Sequence, residues 1–222
     1  MRCNLKYKHI LFDLDGTLTD SGEGIINCVR YALAHFGIEE RDQAVLRSFI
    51  GPPLFESFSK LYGFPPEKAH DAVAKYRERF REKGMFENHV YDGVPEMLAR
   101  LQQAGKILGV ATAKPLVFTE QILAHFDLRR FFAVVCGTDL TGTSTKAEVI
   151  ERALAQLGVK ACRRGKVAMV GDREHDMDGA IACGVHPIGV SYGYAAEGEL
   201  HGHGAEMIFG AAQALCAYLL KE

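Results

Sequence analysis

The stretch His9-Ile10-Leu11-Phe12-Asp13-Leu14-Asp15-Gly16-Thr17 decides the fold of this chain. Its apolar run without alternation is typical of a strand that is buried on both faces. The run ends in Asp13 and Asp15, whose side chains point the same way if the strand continues through them. Open α/β sheets bind ligands at the carboxyl ends of their strands. We therefore interpret the pair as a carboxylate nucleophile beside a proton-transfer group.

Two simpler interpretations compete for the same residues. A calcium-binding loop requires Gly at its sixth position and an oxygen ligand at its twelfth, but these positions hold Leu18 and Gly24. That interpretation fails. An ordinary turn explains Asp-Xaa-Asp-Gly locally, so the rest of the chain has to decide between a turn and a catalytic site.

Composition narrows the class of protein. The chain has 222 residues, is 48% hydrophobic and 24% charged, and carries a net charge of -2. These values favour a globular protein with neither nucleic acid nor a membrane as partner. The first six residues lack a signal-peptide core, and the six cysteines are scattered, so we expect reduced thiols and a cytoplasmic location. For His201 and His203 a polar surface loop is favoured over a metal site. Composition does not distinguish a monomer from a homodimer.

The chain divides into two kinds of sequence. Residues 20–90 show apolar stripes at helical spacing with no strand signal, whereas strands and helices alternate from residue 92 onward. Alternation of this kind predicts an α/β fold with a Rossmann-like parallel sheet. Because the opening strand belongs to that sheet, we expect a catalytic core of residues 1–19 and 91–222 with an inserted helical cap domain of residues 20–90.

Polar residues suited to a phosphoryl group recur at four predicted strand ends. After Asp13 and Asp15 come Thr112, a hydroxyl donor, and Lys146 at a helix start, where the helix dipole favours anions rather than cations. The fourth end carries Asp172 and Asp176, which suit one metal ligand and one orienting carboxylate. Each feature alone is weak, but their order within alternating βα units makes coincidence an inadequate explanation.

These motifs resemble those of the haloacid dehalogenase superfamily, in its phosphatase branch. Asp13-Leu14-Asp15-Gly16-Thr17, Thr112, Lys146 and Gly171-Asp172 with Asp176 match that family's four motifs in order, and residues 20–90 resemble its helical cap. Within the superfamily the chain is similar to the phosphoglycolate phosphatase-like group, notably its 5′-nucleotidase-like bacterial members. One departure is Ala147-Glu148 after Lys146, where many relatives have Pro.

The resemblance implies a mechanism and a set of roles. Asp13 would form an aspartyl-phosphate and Asp15 would act first as acid and then as base, on a small phosphorylated metabolite such as phosphoglycolate or a nucleoside 5′-monophosphate. Thr112 and Lys146 would assist catalysis. The groups expected to hold the phosphoryl oxygens belong to Leu14, Asp15, Gly16, Thr112, Ala113 and Lys146. Mg²⁺ would be held by Asp13, Asp15 and Asp172 and oriented by Asp176. The expected substrate loop of the cap comprises Arg47, Ile50, Gly51 and Pro52.

The sequence argues against several alternative functions of this fold and leaves one open. Asp15 argues against a dehalogenase, and no lysine of the cap stands out as the imine former of a phosphonatase. A sugar phosphomutase shares all four motifs and stays open as an alternative. The complete set of catalytic residue types argues against a non-enzymatic binding protein. Neither Gly-Xaa-Gly-Xaa-Xaa-Gly nor Gly-Lys-Ser/Thr occurs, so we expect neither a dinucleotide site nor a P-loop.

Overall fold

The computed structural model describes residues 6–140 and 144–221. The chain forms two compact units, one of residues 1–19 and 90–222 and the other of residues 20–89. Cys3 lies outside the described residues. Cys136, Cys162, Cys183 and Cys216 are free thiols, and Cys28 Sγ accepts a hydrogen bond from Arg79 Nη1 at 3.5 Å. Among the described helices, none combines the length and apolar character needed to cross a membrane.

Strands and helices are numbered along the chain. The strands of the described residues are β1 His9–Phe12, β2 Thr19–Asp20, β3 His89–Val90, β4 Ile107–Pro115, β5 Val134–Thr138, β6 Val167–Gly171, β7 His186–Val190 and β8 Met207–Phe209. The α-helices are α1 Gly22–His35, α2 Gln43–Arg47, α3 Leu54–Tyr62, α4 Pro66–Arg79, α5 Val94–Gln103, α6 Leu116–His125, α7 Lys146–Gln156, α8 Glu174–Ala182, α9 Glu199–Gly202 and α10 Ala212–Leu219.

The larger unit is built on a parallel sheet of six strands in the order β5-β4-β1-β6-β7-β8. β1 lies between β4 and β6, and His9 is in register with both Ile107 and Val167. Its residues Ile10, Leu11 and Phe12 are fully buried, as the continuous apolar run predicts. The sheet confirms the predicted α/β Rossmann-like class.

The core of the larger unit explains why β1 ends where it does. Leu11 of β1 and Met169 of β6 pack with Val149 and Ile150 of α7 and with Ala180 of α8. Burying such aliphatic side chains contributes roughly 1.5–3 kcal/mol each. Asp13, the first polar residue after this apolar run, donates its backbone N–H to Val170 O at 2.9 Å. The backbone thus stays tied to the sheet while the side chain reaches the carboxyl edge.

The smaller unit is helical from α1 through α4, and a π-helical turn, Phe80–Gly84, follows α4 directly. Its aromatic rings cluster: Phe49 and Phe58 have centroids 5.0 Å apart, and Lys68 Nζ lies 4.1 Å from the centroid of the Phe64 ring. Such aromatic and cation–π contacts stabilise a small core beyond area burial. Where the chain passes between the two units, β2 and β3 pair as a two-stranded sheet.

Three local features differ from the sequence-based expectation. The short strands β2 and β3 replace purely helical or irregular chain at the ends of the insertion. α8 begins at Glu174 rather than near Met177, because the Asp176 carboxylate accepts the Arg173 N–H at 3.1 Å and completes the first turn. His201 lies within the short helix α9 rather than in a loop, whereas His203 lies in the turn that follows the helix. Elements of two to four residues leave no readable periodicity.

Candidate active site

The carboxyl end of β1 carries the two acids that the sequence singled out. Asp13 is 8% exposed and is followed by a tight turn in which Gly16 N–H donates to Thr19 O at 2.8 Å. Gly16 has a φ of 80°, in the region that favours glycine, and a Cβ there would lie 2.0 Å from Asp172 Oδ2. The glycine therefore permits both the turn and the approach of a third carboxylate.

Lys146 joins two of the acids. Its Nζ lies 2.7 Å from Asp13 Oδ1 and 2.6 Å from Asp176 Oδ1, and it donates to Ala111 O at 3.1 Å. The lysine is the first residue of α7, which begins with a capping box between Thr145 and Glu148. Burial alone would lower the pKa of the Lys146 amine, but the two carboxylates outweigh burial and raise it. Lys146 is therefore a fixed positive charge between Asp13 and Asp176.

Asp172 completes a cluster of three buried carboxylates with Asp13 and Asp176. One ligand oxygen from each lies within 4.8 Å of the others. Asp172 is fully buried and accepts hydrogen bonds from Tyr194 N at 2.8 Å and from Thr17 Oγ1 at 3.2 Å. These donors hold the carboxylate in one orientation.

The charges of the cluster favour the binding of a cation in addition to the Lys146 ammonium. Burial raises the pKa of Asp13, and Lys146 opposes that shift. The pKa of Asp172 lies well above its ordinary value, first because of burial and then because of the carboxylates of Asp176 and Asp13. Three carboxylates and one ammonium leave an excess of buried negative charge, and carboxylate oxygens are the ligands that hard divalent cations prefer. Asp13, Asp172 and Asp176 therefore fit a metal ion.

Thr112 and Ala113 lie on β4, the neighbour of β1. The Thr112 side chain is 1% exposed and hydrogen-bonds to Asp13, which lowers the pKa of that carboxyl against the effect of burial. Ala113 contributes its carbonyl oxygen to a hydrogen bond from Thr138 Oγ1 at 3.0 Å. The structure thus brings the hydroxyl of Thr112 to the first predicted acid.

The residues that sequence reasoning missed are those that support the acids. Lys114 Nζ lies 2.9 Å from Asp15 Oδ2, so the Asp15 side chain faces a lysine and stands apart from the carboxylate cluster. Glu199 accepts hydrogen bonds from Arg173 Nε at 2.8 Å, Glu174 N at 2.9 Å and Ala196 N at 2.9 Å. Lys114 was readable as a lysine close after a strand, whereas no local signal pointed to Glu199.

Other predicted site residues have more limited outcomes. Leu14 is fully buried, so only its backbone is available to a phosphoryl group. Arg47 ends α2 in the helical unit, and the turn after it contains Ile50, Gly51 and Pro52. Gly51 adopts a φ of 108°. That these residues contact substrate stays a prediction.

Known proteins share this architecture and sequence. The sequence pattern of the haloacid dehalogenase-like hydrolases matches residues 10–190. A 5′-nucleotidase of Pseudomonas aeruginosa is 50% identical over 200 residues, which cover 90% of this chain and 89% of that protein. The tyrosine-protein kinase PtkA of Mycobacterium tuberculosis is 39% identical over 83% of this chain and 62% of its own length.

A solved structure agrees with the sequence relationships. The crystal structure of a predicted phosphatase from Clostridium acetobutylicum has a TM-score of 0.91 and 45% identity, covering 96% of this chain and 98% of that one. Its match extends over both the sheet and the helical insertion. The chain belongs to the haloacid dehalogenase-like hydrolase family.

Proposed function

We propose that this protein is a Mg²⁺-dependent phosphomonoesterase that hydrolyses small phosphorylated metabolites, with nucleoside 5′-monophosphates as the favoured class. The observation that carries the proposal is the buried contact between Asp13 and Lys146 inside a cluster of carboxylates at the end of β1. A carboxylate nucleophile needs a nearby cation to offset the charge of an incoming phosphoryl group, and this arrangement supplies one.

Each residue of the site has a separate role in the proposed reaction. The Asp13 carboxylate attacks phosphorus and forms an aspartyl-phosphate while Asp15 gives a proton to the leaving oxygen; Asp15 then takes a proton from the attacking water. Lys146 and Thr112 bind phosphoryl oxygens, together with backbone N–H groups of the turn after β1. Asp13, Asp172 and Asp176 would hold Mg²⁺, which would supply electrostatic stabilisation to the transferring phosphoryl group.

The substrate class rests on the relatives. The Pseudomonas aeruginosa protein with 50% identity is named a 5′-nucleotidase, which favours nucleoside 5′-monophosphates over phosphoglycolate. The helical insertion would then select the leaving group through Arg47, Ile50, Gly51 and Pro52, acting as a lid that excludes water during phosphoryl transfer. Substitution to alanine at Ile50 or Leu54 should change the ratio of kcat/KM values between two substrates, and an unchanged ratio would argue against the lid.

A phosphate-release screen tests the activity. Nucleoside 5′-monophosphates, phosphoglycolate, sugar phosphates and pyrophosphate are supplied with Mg²⁺ or with excess chelator, and free phosphate is measured. We expect release that depends on Mg²⁺, highest with a nucleoside 5′-monophosphate. Phosphate that moves within a sugar, or to a protein tyrosine, without release would instead identify a phosphotransferase. Release that persists unchanged in chelator would contradict the metal requirement.

The cellular location is proposed on the thiols. Cys136, Cys162, Cys183 and Cys216 are free thiols, and Cys28, Cys136, Cys183 and Cys216 are buried. Thiols persist in reducing compartments, and small phosphorylated metabolites are found there. We place the enzyme in the cytoplasm, and recovery of the protein in a periplasmic or secreted fraction would contradict this.

A further inference from the structure

We infer that Lys114 is a positioning residue that grips one oxygen of Asp15 and leaves the other free for proton transfer. Lys114 Nζ lies 2.9 Å from Asp15 Oδ2, and the two side chains are only 7% and 13% exposed. At this distance and burial the contact is an ion pair with little solvent screening. The inference rests on the proposed function, because it concerns the residue assigned as acid and base.

An irregularity in the pairing of β4 with β5 positions Lys114. The register between β4 and β5 shifts between Ala111 and Pro115, and Lys114 N donates to Thr112 Oγ1 at 3.3 Å. Gly137 of β5 has no side chain where a Cβ would lie 2.5 Å from the Lys114 carbonyl oxygen. Irregularities of this kind re-aim side chains beside active sites. Lys114 is therefore held by β4 and its neighbour, not by a flexible loop.

The two oxygens of Asp15 have different surroundings. Oδ2 contacts Lys114, whereas Oδ1 is buried and has no hydrogen-bond partner among the described residues. A buried acceptor without a partner costs free energy, which an incoming proton donor recovers. Oδ1 is thus the Asp15 oxygen left to exchange a proton, and the contact of Lys114 with Oδ2 fixes the rotation of the carboxylate.

Lys146 and Lys114 contact different acids of the site. Lys146 contacts Asp13 and Asp176, while Lys114 contacts Asp15. In the first half-reaction the Asp13–phosphorus bond forms, the ester P–O bond breaks and the leaving oxygen takes the proton from Asp15 Oδ1. In the second, water attacks phosphorus, its proton passes to Oδ1, and the Asp13–phosphorus bond breaks. Lys114 orients Asp15 in both steps and exchanges no proton itself.

Leaving-group dependence tests this role. p-Nitrophenolate departs without a proton, whereas the alkoxide of a nucleoside 5′-monophosphate requires one. Because general acid–base help contributes about 10²–10⁴-fold, we expect Lys114→Met to lower kcat/KM for the nucleotide by about 100-fold and to change kcat/KM for p-nitrophenyl phosphate only slightly. Lys160→Met, at an exposed lysine, serves as the matched control and should change neither value.

A double variant separates positioning from structure. In the Asp15→Asn background, Lys114→Met should cause no further loss, and Lys114→Arg alone should recover part of the nucleotide activity. Equal losses for both substrates, or additive losses in the double variant, would overturn the inference. If Lys114→Met loses its cooperative thermal melt, Lys114→Gln is measured in the same way. A wild-type protein inactive on every phosphomonoester would overturn the proposed function itself, whereas an active wild type with equal losses overturns only the role of Lys114.

Discussion

At the scale of single residues, the main feature of the site is its excess of negative charge. Within the cluster, the three carboxylates of Asp13, Asp172 and Asp176 surround the single ammonium group of Lys146. Three negative charges and one positive charge leave a net charge of -2, which one divalent cation neutralises. This balance is the physical reason for proposing a metal, independently of any relative.

Asp13→Asn tests the nucleophile. The amide is nearly isosteric with the carboxylate but is a poor nucleophile, so turnover should fall to background while the cooperative thermal melt is kept. Phosphate release and Tm are measured together, with Asp71→Asn at an exposed position as control. Mass spectrometry must show that the introduced amide has not deamidated back to aspartate. Near-normal turnover in protein that passes this check would refute the assignment.

Asp172→Asn tests the metal site through stability. The variant removes a buried carboxylate whose charge is disfavoured by burial and by its neighbours. Metal-free variant should therefore melt at a higher temperature than metal-free wild type. The wild type should gain stability with Mg²⁺, because a ligand that binds only the folded state raises Tm, and the variant should lose most of that gain. An equal Mg²⁺-induced rise in both proteins would exclude Asp172 as a ligand.

The sequence allowed the acids to be chosen but not their partners. Asp13 and Asp15 stand out because they follow an apolar run, and Lys146 because a lysine opposes the helix dipole there. The pairing of Lys114 with Asp15, and the bonds from Arg173 and Glu174 to Glu199, depend on contacts between segments far apart in the chain. Sequence spacing carries no information on such contacts, so only the folded structure provides them. The catalytic roles themselves stay predictions.

At the scale of elements, the long periodic segments were predictable and the short ones were not. The inner strands β1, β4 and β6 are apolar runs that end in polar residues, so their placement follows from burial on both faces. α9 has four residues, and its neighbour Gly198 is in a left-handed conformation. The helix is fixed by tertiary contacts, including those of Glu199, rather than by any repeat in its sequence.

The junction of α8 and α9 predicts a pH-dependent stability. His203 Nδ1 lies 2.9 Å from Asp178 Oδ1, and Nε2 lies 3.2 Å from Glu174 Oε2. The hydrogen bond to Asp178 raises the pKa of His203 above its ordinary 6.5. The stabilisation is thus fully present below pH 6.5 and is lost as pH rises through the higher folded-state value. The difference in Tm between wild type and His203→Gln should shrink with rising pH, and a difference independent of pH would contradict the contact.

At the scale of the whole molecule, the helical unit is an insertion with its own core. The buried cluster beneath the sheet draws its residues from the larger unit alone. The aromatic rings of the smaller unit form a separate cluster. The family, predicted from four motifs in order, and the fold class, predicted from alternating strands and helices, are confirmed. Any movement of the helical unit during catalysis is part of the lid proposal.

This organisation predicts that the larger unit folds without the insertion. The chain leaves at Thr19 and returns at Val90, and these residues belong to the paired strands β2 and β3. A short Gly-rich linker can therefore replace residues 20–89 at a small cost in loop-closure entropy. The shortened protein should keep a cooperative melt and a Mg²⁺-induced rise in Tm, because Asp13, Asp172 and Asp176 all remain. Its kcat/KM should fall and its discrimination between phosphomonoesters should be lost, because the proposed selecting residues are gone.

Calorimetry and the substrate screen check both parts of this prediction. The shortened protein with Asp172→Asn is the control, since it should fold but gain no stability from Mg²⁺. A shortened protein that unfolds without a cooperative transition would show that the sheet unit depends on the insertion. Undiminished discrimination between substrates would instead place specificity in the core, at residues such as Thr112 and Lys114 that surround the catalytic acids.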